Sequence, residues 1–355
     1  EKARHLAKPR RVASSSRTNG RKSRGSLLNS RKIEVSREDI MSIMMDRRKQ
    51  EIIRNLRVKI GELIKREKSL LSGKFGKVYF DMFGLSKAVF KLIPLAKLII
   101  REDISPIEQM RIKNFISATR SEIQFYNLIN GVQEFRNTHC PRRRAVQKTT
   151  ECVAIIYDNC GPDMFSYLEK HRLKINPLGL LNLAIKVLKV FRAMFEAGIY
   201  HLDIKPENIL YDGKRVMICD WGMWTMDADK IINQAGTLEF TAPLGHPARF
   251  YALWTIMATL AAVMFVFPPQ YWNEDKSETV AWLNKMNSPE CTKLEPLSKE
   301  FSMNCNILAQ DQNYVPLCSL FRDFFSKTPK KSYTLTNIID VFLKTEASVL
   351  AQSSP

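Results

Sequence analysis

No two of the seven cysteines (140, 152, 160, 219, 291, 305, 318) form a CxxC pair, and their number is odd. This argues against a disulfide framework and a zinc ribbon, and it favours a reducing compartment. No internal repeat recurs along the 355 residues. The start of the chain lacks the apolar core of a secretory signal: residues 1–35 are rich in Lys, Arg, Ser and Gly and poor in large apolar side chains. Such a segment cannot bury enough surface to fold and reads as a disordered basic arm. The arm also lacks interleaved aromatics for stacking on bases, so it would hold nucleic acid only nonspecifically, through phosphates. A chain that begins at Glu1 rather than Met reads as trimmed. Its expected location is intracellular, in cytoplasm or nucleus. The segment KPRR, Lys8 to Arg11, reads equally as a nuclear-import signal or a solvated tail.

Acidic residues are the minority, 36 against 55 Lys and Arg, and the resulting +19 predicts attraction to polyanions. The imbalance is local. Residues 1–68 carry 21 basic against 8 acidic side chains, which is +13 of that +19. Long apolar runs are also scarce. The one uncharged stretch of eighteen, residues 250–267, reaches the lower limit for a membrane span, but a helix buried on all sides of a large lobe satisfies the same composition. The motifs on both sides favour the buried helix and no membrane.

With 45% hydrophobic residues, a chain of this length can build two lobes. Ser36 and Asp39 resemble a helix start, and Ile40, Met44, Ile52, Leu56, Ile60 and Leu63 recur at helical spacing, giving an amphipathic extension over 36–67, as one long helix or two separated near the charged run DRRKQE. Residues 68–157 read as short strands (77–83, 88–93, 152–157) around a helix at 119–130. Residues 158–345 read as mainly helical, led by 178–198, with a tail at 346–355. The expected fold class is therefore α+β, a small sheet-rich lobe followed by a larger helical one.

The chemistry sits in four places. In GKFGKV, Gly73 and Gly76 let backbone amides approach phosphate oxygens, and Val78 comes next on the strand. Lys91, among Ala88, Val89, Phe90 and Leu92, needs a carboxylate and a polyanion to be tolerated. Glu122 can supply the carboxylate, with Glu108 as a second candidate. In HLDIKPEN, Asp203 would orient a hydroxyl and accept its proton, Lys205 would neutralise charge on a moving phosphoryl group, and Asn208 would hold a metal ion. Asp220, twelve residues on in DWG, adds a second metal-binding carboxylate.

Taken together and in order, GKFGKV (73–78), Lys91, Glu122, HLDIKPEN (201–208), DWG (220–222) and GTLEFTAP (236–243) resemble the signature set of eukaryotic-type protein kinases. The resemblance covers residues 68–345 and implies a bilobal kinase fold, ATP and Mg²⁺ as cofactors, and protein substrates. It further implies Ile156 at the rear of the nucleotide pocket, a hinge at 157–160, and Asp163 near the ribose or a basic substrate side chain. Lys205 with Thr237 is similar to the serine/threonine branch. GKFGKV paired with the GTLEF segment also resembles the divergent kinases of large DNA viruses of insects, the baculovirus and nudivirus group, which would make the location a host cell and basic DNA-packaging proteins a candidate substrate class.

The chain departs from that pattern at Leu71, where a glycine is usual, and at Leu202, where an Arg would pair with a phosphate on the activation segment. Leu244 and Ser332 replace an expected buried Glu–Arg pair, and Arg249 replaces an Asp that braces the catalytic loop. Two readings stand side by side: an active serine/threonine kinase, and a catalytically weak or inactive kinase-shaped scaffold whose basic arm docks nucleic acid or an acidic partner.

Overall fold

The computed structural model describes residues 37–66, 71–73, 76–95, 105–129, 138–233, 235–243, 245–266, 281, 299–326 and 333–353. The expected basic arm lies outside them, as do Leu244 and Ser332. Two units divide at Ile52 and Ile53. Of the first, only the leading part of helix α1 (Arg37–Lys65) is described. The rest of α1, from Ile53, and all the remaining elements belong to the second.

Five strands form one antiparallel sheet: β1 (Leu71–Gly73), β2 (Gly76–Phe83), β3 (Ser86–Pro94), β4 (Arg143–Lys148) and β5 (Cys152–Asp158), in the order β1-β2-β3-β5-β4. Side chains alternate across such a sheet, and here both faces are covered. Ala88, Phe90, Leu92, Ala154 and Ile156 point to one face, where Leu56, Ile60 and Leu63 of α1 complete a core. Lys59 (2.9 Å) and Arg66 (2.7 Å) both reach Asp81 on β2 and fasten the helix to that strand. Lys91 takes the other face, with Ile93, Ile155 and Tyr157 in the core of helix α2 (Pro106–Ile129). That helix begins thirteen residues before the expected 119, at a proline suited to a first turn.

The helical part contains α3 (Met164–His171), α4 (Pro177–Glu196), α5 (Ala248–Phe265), α6 (Lys299–Leu308), α7 (Val315–Phe324) and α8 (Leu335–Ser353). Short pairs β6–β9 (Tyr200–His201 with Trp224–Thr225), β7–β8 (Ile209–Tyr211 with Val216–Ile218) and β10–β11 (Ile231–Ile232 with His246–Pro247) carry the loops between α4 and α5. Asn176 caps α4 by accepting from the Gly179 amide (2.8 Å), and Pro177 occupies its first turn. The uncharged run forms α5, and every residue of it except Arg249 and Phe250 is buried. It is apolar on all sides because protein surrounds it: Trp254 meets the rings of Phe324 and Phe325, and Phe265 meets Phe301 and Phe321. At its end, Arg172 donates to the carbonyls of Ala262 and Val263 (2.7 and 2.9 Å), satisfying acceptors the helix leaves open. Helix α8 continues to Ser353 through the segment expected as a tail, because Val349 still packs on the core.

Candidate active site

The β2–β3–β5 register sets up the first half of the site. Lys91 stands opposite Val78 on one side and Ile155 on the other, so Val78 shares its face. Gly73 and Gly76 face each other as the last pair of β1 and β2. The Lys91 ammonium meets Glu122 Oε2 at 2.7 Å and Asp220 Oδ1 at 2.9 Å. Glu108, exposed at the start of α2 and bonded to Ser105, is not the partner. Glu122 also accepts from the Tyr157 hydroxyl (2.6 Å), so both oxygens of this buried carboxylate are satisfied. Burial opposes charge on Lys91, but Asp220 and Glu122 more than offset it and hold the ammonium above its ordinary value. Burial likewise raises Asp220, yet the adjacent Lys91 holds the carboxyl below its usual range.

Asp220 has φ +57, the left-handed region a non-glycine residue seldom adopts. The next two residues account for the turn. Trp221 is fully buried, stacks on Phe125 of α2 (centroids 3.8 Å apart, planes 7° apart) and donates from its indole to Ile218 O (3.0 Å). Gly222 then passes Ala118, where an added Cβ would lie 3.3 Å from that side chain. Trp224 donates to Ser121 O (3.0 Å), tying the same loop to α2 a second time.

The second half is the loop between β6 and β7. Asp203 Oδ1 accepts from the Thr237 hydroxyl (2.9 Å), Lys205 donates to that hydroxyl oxygen (2.6 Å), and Lys205 lies 3.4 Å from Asp203 Oδ2. The three therefore close a ring of contacts around one carboxylate. Asn208 donates from its amide nitrogen to Asp203 O (2.8 Å), leaving its side-chain oxygen as an acceptor for a cation. Gly236, at φ +74, carries the chain so close that an added Cβ would sit 2.8 Å from Leu202 O and 2.9 Å from Asp203 Oδ1. Lys91, Glu122, Asp203 and Asp220 line one cavity.

Sequence reasoning overlooked the supports of this loop. His201 receives the Asp203 amide on Nδ1 (3.1 Å), and its Nε2 stands 3.2 Å from Cys219 O, an arrangement only the neutral Nε2-protonated ring satisfies. Burial pushes its value down, against the opposing pull of Asp203. The unfolded chain, with the ordinary value of 6.5, takes up a proton first as pH falls. Stability contributed by neutral His201 is therefore complete above 6.5 and is lost as pH drops from there through the depressed folded value. Thermal melts across pH 5 to 8 should show this decline, and His201→Asn should flatten it. Thr259 of α5 donates to Ile204 O (3.1 Å), and Tyr251 donates to Ala235 O. These two uncharged groups hold the loop and the segment before Thr237, whereas Arg249 is exposed. Leu202 is buried in the core, in keeping with its replacement of a cation.

One expected site residue falls elsewhere. Ile156 lies in the core beneath α1, on the face opposite Lys91; its neighbours Ile155 and Tyr157 occupy the Lys91 side, because successive side chains of a strand point to opposite faces. Asp163 stays beside the catalytic loop, bridged to Leu210, and also caps α3, accepting from the Ser166 amide and hydroxyl (2.8 Å each). Asp220 and Asn208 offer hard oxygen donors, and Mg²⁺ commonly takes only one or two protein ligands beside phosphate oxygens, so the residues fit that ion. Among the described residues no group of three or more His, Cys, Asp or Glu forms a metal-binding cluster.

The family described as the protein kinase domain matches residues 65–343. Similar proteins include "Serine/threonine-protein kinase VHS1" of Saccharomyces cerevisiae, 27% identical over 42% of this chain and 32% of that protein. "Calcium/calmodulin-dependent protein kinase type 1" of Macrobrachium nipponense is 24% identical over 61% of this chain and 66% of that protein. "Serine/threonine-protein kinase 1" of Heliothis zea nuclear polyhedrosis virus is 23% identical over 49% and 57%. The chain thus spans between a third and two thirds of the length of these relatives.

Proposed function

Because this chain belongs to the protein kinase domain family, we propose that it transfers the γ-phosphoryl group of ATP to serine or threonine hydroxyls of protein substrates. The observation that carries this reading is the ring formed by Asp203, Lys205 and Thr237, joined through one cavity to the Lys91, Glu122 and Asp220 triad. In it Asp203 orients the substrate hydroxyl and takes its proton, the task for which a fixed carboxylate is suited. Lys205 places its ammonium where charge develops on the transferred group. Lys91, fixed by Glu122, is positioned to neutralise nucleotide phosphates, and the backbone at Gly73 and Gly76 to cover them. Asp220 and Asn208 would hold Mg²⁺, which when bound neutralises charge on the phosphates. The names of the yeast and viral relatives favour serine and threonine as acceptors, as does the Lys205–Thr237 contact.

The alternative, a kinase-shaped binding protein without turnover, draws on the exposed Arg249 and the missing cation at Leu202. Transfer of labelled γ-phosphate to a mixed serine, threonine and tyrosine peptide library separates the two. Asp203→Asn should reduce the label on serine and threonine by about 10²–10⁴-fold, the range attributable to general-base catalysis. Its melting temperature should stay within a few degrees, since the amide still accepts from Thr237. Equal label in both proteins would remove Asp203 from the chemistry. No label in either, with ATP bound, would establish the scaffold.

A further inference from the structure

Outside the catalytic cavity, a second cluster of directed charge lies beside residues 158–160. An open groove with about 560 Å³ of room is lined there by Lys87 at the start of β3, Arg142 and Arg144 around the start of β4, Asp158 at the end of β5, and Arg215 beside β8. A bulge at Arg143–Ala145 shifts the register and separates the three consecutive arginines. Arg143 turns to α2, donating to Ile123 O (2.9 Å) and Asn127 Oδ1 (2.6 Å). Arg142 and Arg144 both turn to the groove and share a single carboxylate, Asp158, with Arg142 at 3.0 Å. Arg215 is held by Asp212 (2.9 Å), and Lys87, exposed, has no carboxylate partner among the described residues. Four cations thus face two acids. The mismatch is not dispersed in solvent, because Arg144 is also anchored to Phe83 O (3.2 Å) and keeps its guanidinium in place.

We propose that this groove binds an acidic segment of a partner protein, with carboxylate or phosphate side chains engaging Lys87, Arg142 and Arg215. Three features favour that occupant. The guanidinium groups already hold carboxylates, so their donor geometry suits such ligands. No aromatic side chain lines the groove, so it offers no stacking platform for bases, which disfavours a single-stranded nucleic acid. The groove crosses the start of β3, the start of β4 and the end of β5, so its cations are spread over several strands and suit an extended acidic segment rather than a single anion. The room available exceeds that needed by one inorganic anion and suits several residues of a peptide.

The test is fluorescence anisotropy with the full chain and three probes: a ten-residue glutamate-rich peptide, the same peptide with phosphoserines, and a ten-nucleotide oligothymidine. Lys87→Glu/Arg142→Glu reverses two charges in the groove, and Arg10→Glu/Arg11→Glu makes the same change in the basic arm as a control. The groove variant should weaken both peptides by about tenfold or more, with a reduced salt dependence, while the arm variant leaves them within about twofold. A tighter hold on phosphoserine than on glutamate would assign the site to phosphorylated segments. Equal peptide binding by wild type and the groove variant would overturn the proposal, as would loss in the arm variant alone. So would a groove-dependent preference for the oligonucleotide. Should the double variant unfold, lysine acetylation of the wild type decides: saturating peptide must protect Lys87 while Lys189, exposed on α4, stays reactive. None of these measurements reads phosphoryl transfer, so the outcome is independent of the activity proposed above.

Discussion

Lys91→Met should sharply reduce turnover and also destabilise the protein, two losses that a second substitution can separate. Among the described residues the Lys91 ammonium is the cation that meets Glu122, and it pairs with Asp220 as well. Removing it leaves a buried carboxylate at Glu122 and a second one close by without their counter-charge. Breaking a buried pair from one side costs about 3–5 kcal/mol, whereas replacing both members is often nearly neutral. Lys91→Met alone should therefore lower the denaturant midpoint clearly and reduce phosphoryl transfer on the order of 10²-fold or more, the scale of losing one well-placed electrostatic donor. Adding Glu122→Gln should restore most of the stability, since the amide still accepts from Tyr157. It should restore none of the turnover. Recovery of both would mean that Lys91 acts only as a structural counter-ion.

The second large effect is expected far from the chemistry. Ile60 of α1 is fully buried against the outer face of the sheet, in one core with Phe90 and Ile156. Ile60→Ala should cost about 2–5 kcal/mol, the range for truncating a buried aliphatic side chain that cannot be refilled. Ile52, about half exposed on the same helix, should tolerate the change with little loss. Urea titrations of the two variants test the contrast. Equal midpoints would mean that α1 is a detachable extension rather than a layer of the fold.

Those two sites also mark where sequence reading stopped. The catalytic loop was legible because its groups lie within eight residues, 201–208, and local spacing alone brings Asp203 and Asn208 together. Lys91 was legible because a charge inside an apolar strand demands an explanation. Ile156 was misplaced because β5 is buried on both faces, so its sequence shows no alternation to reveal which side chains look toward α2. The periodicity of α1 announced an apolar stripe, but nothing local named the sheet face that covers it. Thr259 and Tyr251 were hidden for a related reason. In an all-apolar helix they read as bulk, and only the tertiary structure aims their hydroxyls at Ile204 and Ala235.

The turn at Asp220 and Trp221 has a pharmacological consequence. Compounds that occupy such a cleft by forcing the aspartate and the aromatic after it to exchange places would have to draw an indole from full burial. They would also break its bond to Ile218 and part it from the ring of Phe125. A phenyl side chain at that position would surrender less area and no hydrogen bond. Small molecules that accept the turn as it stands should accordingly outcompete those that invert it. A chemical screen against this protein should be stocked with the former.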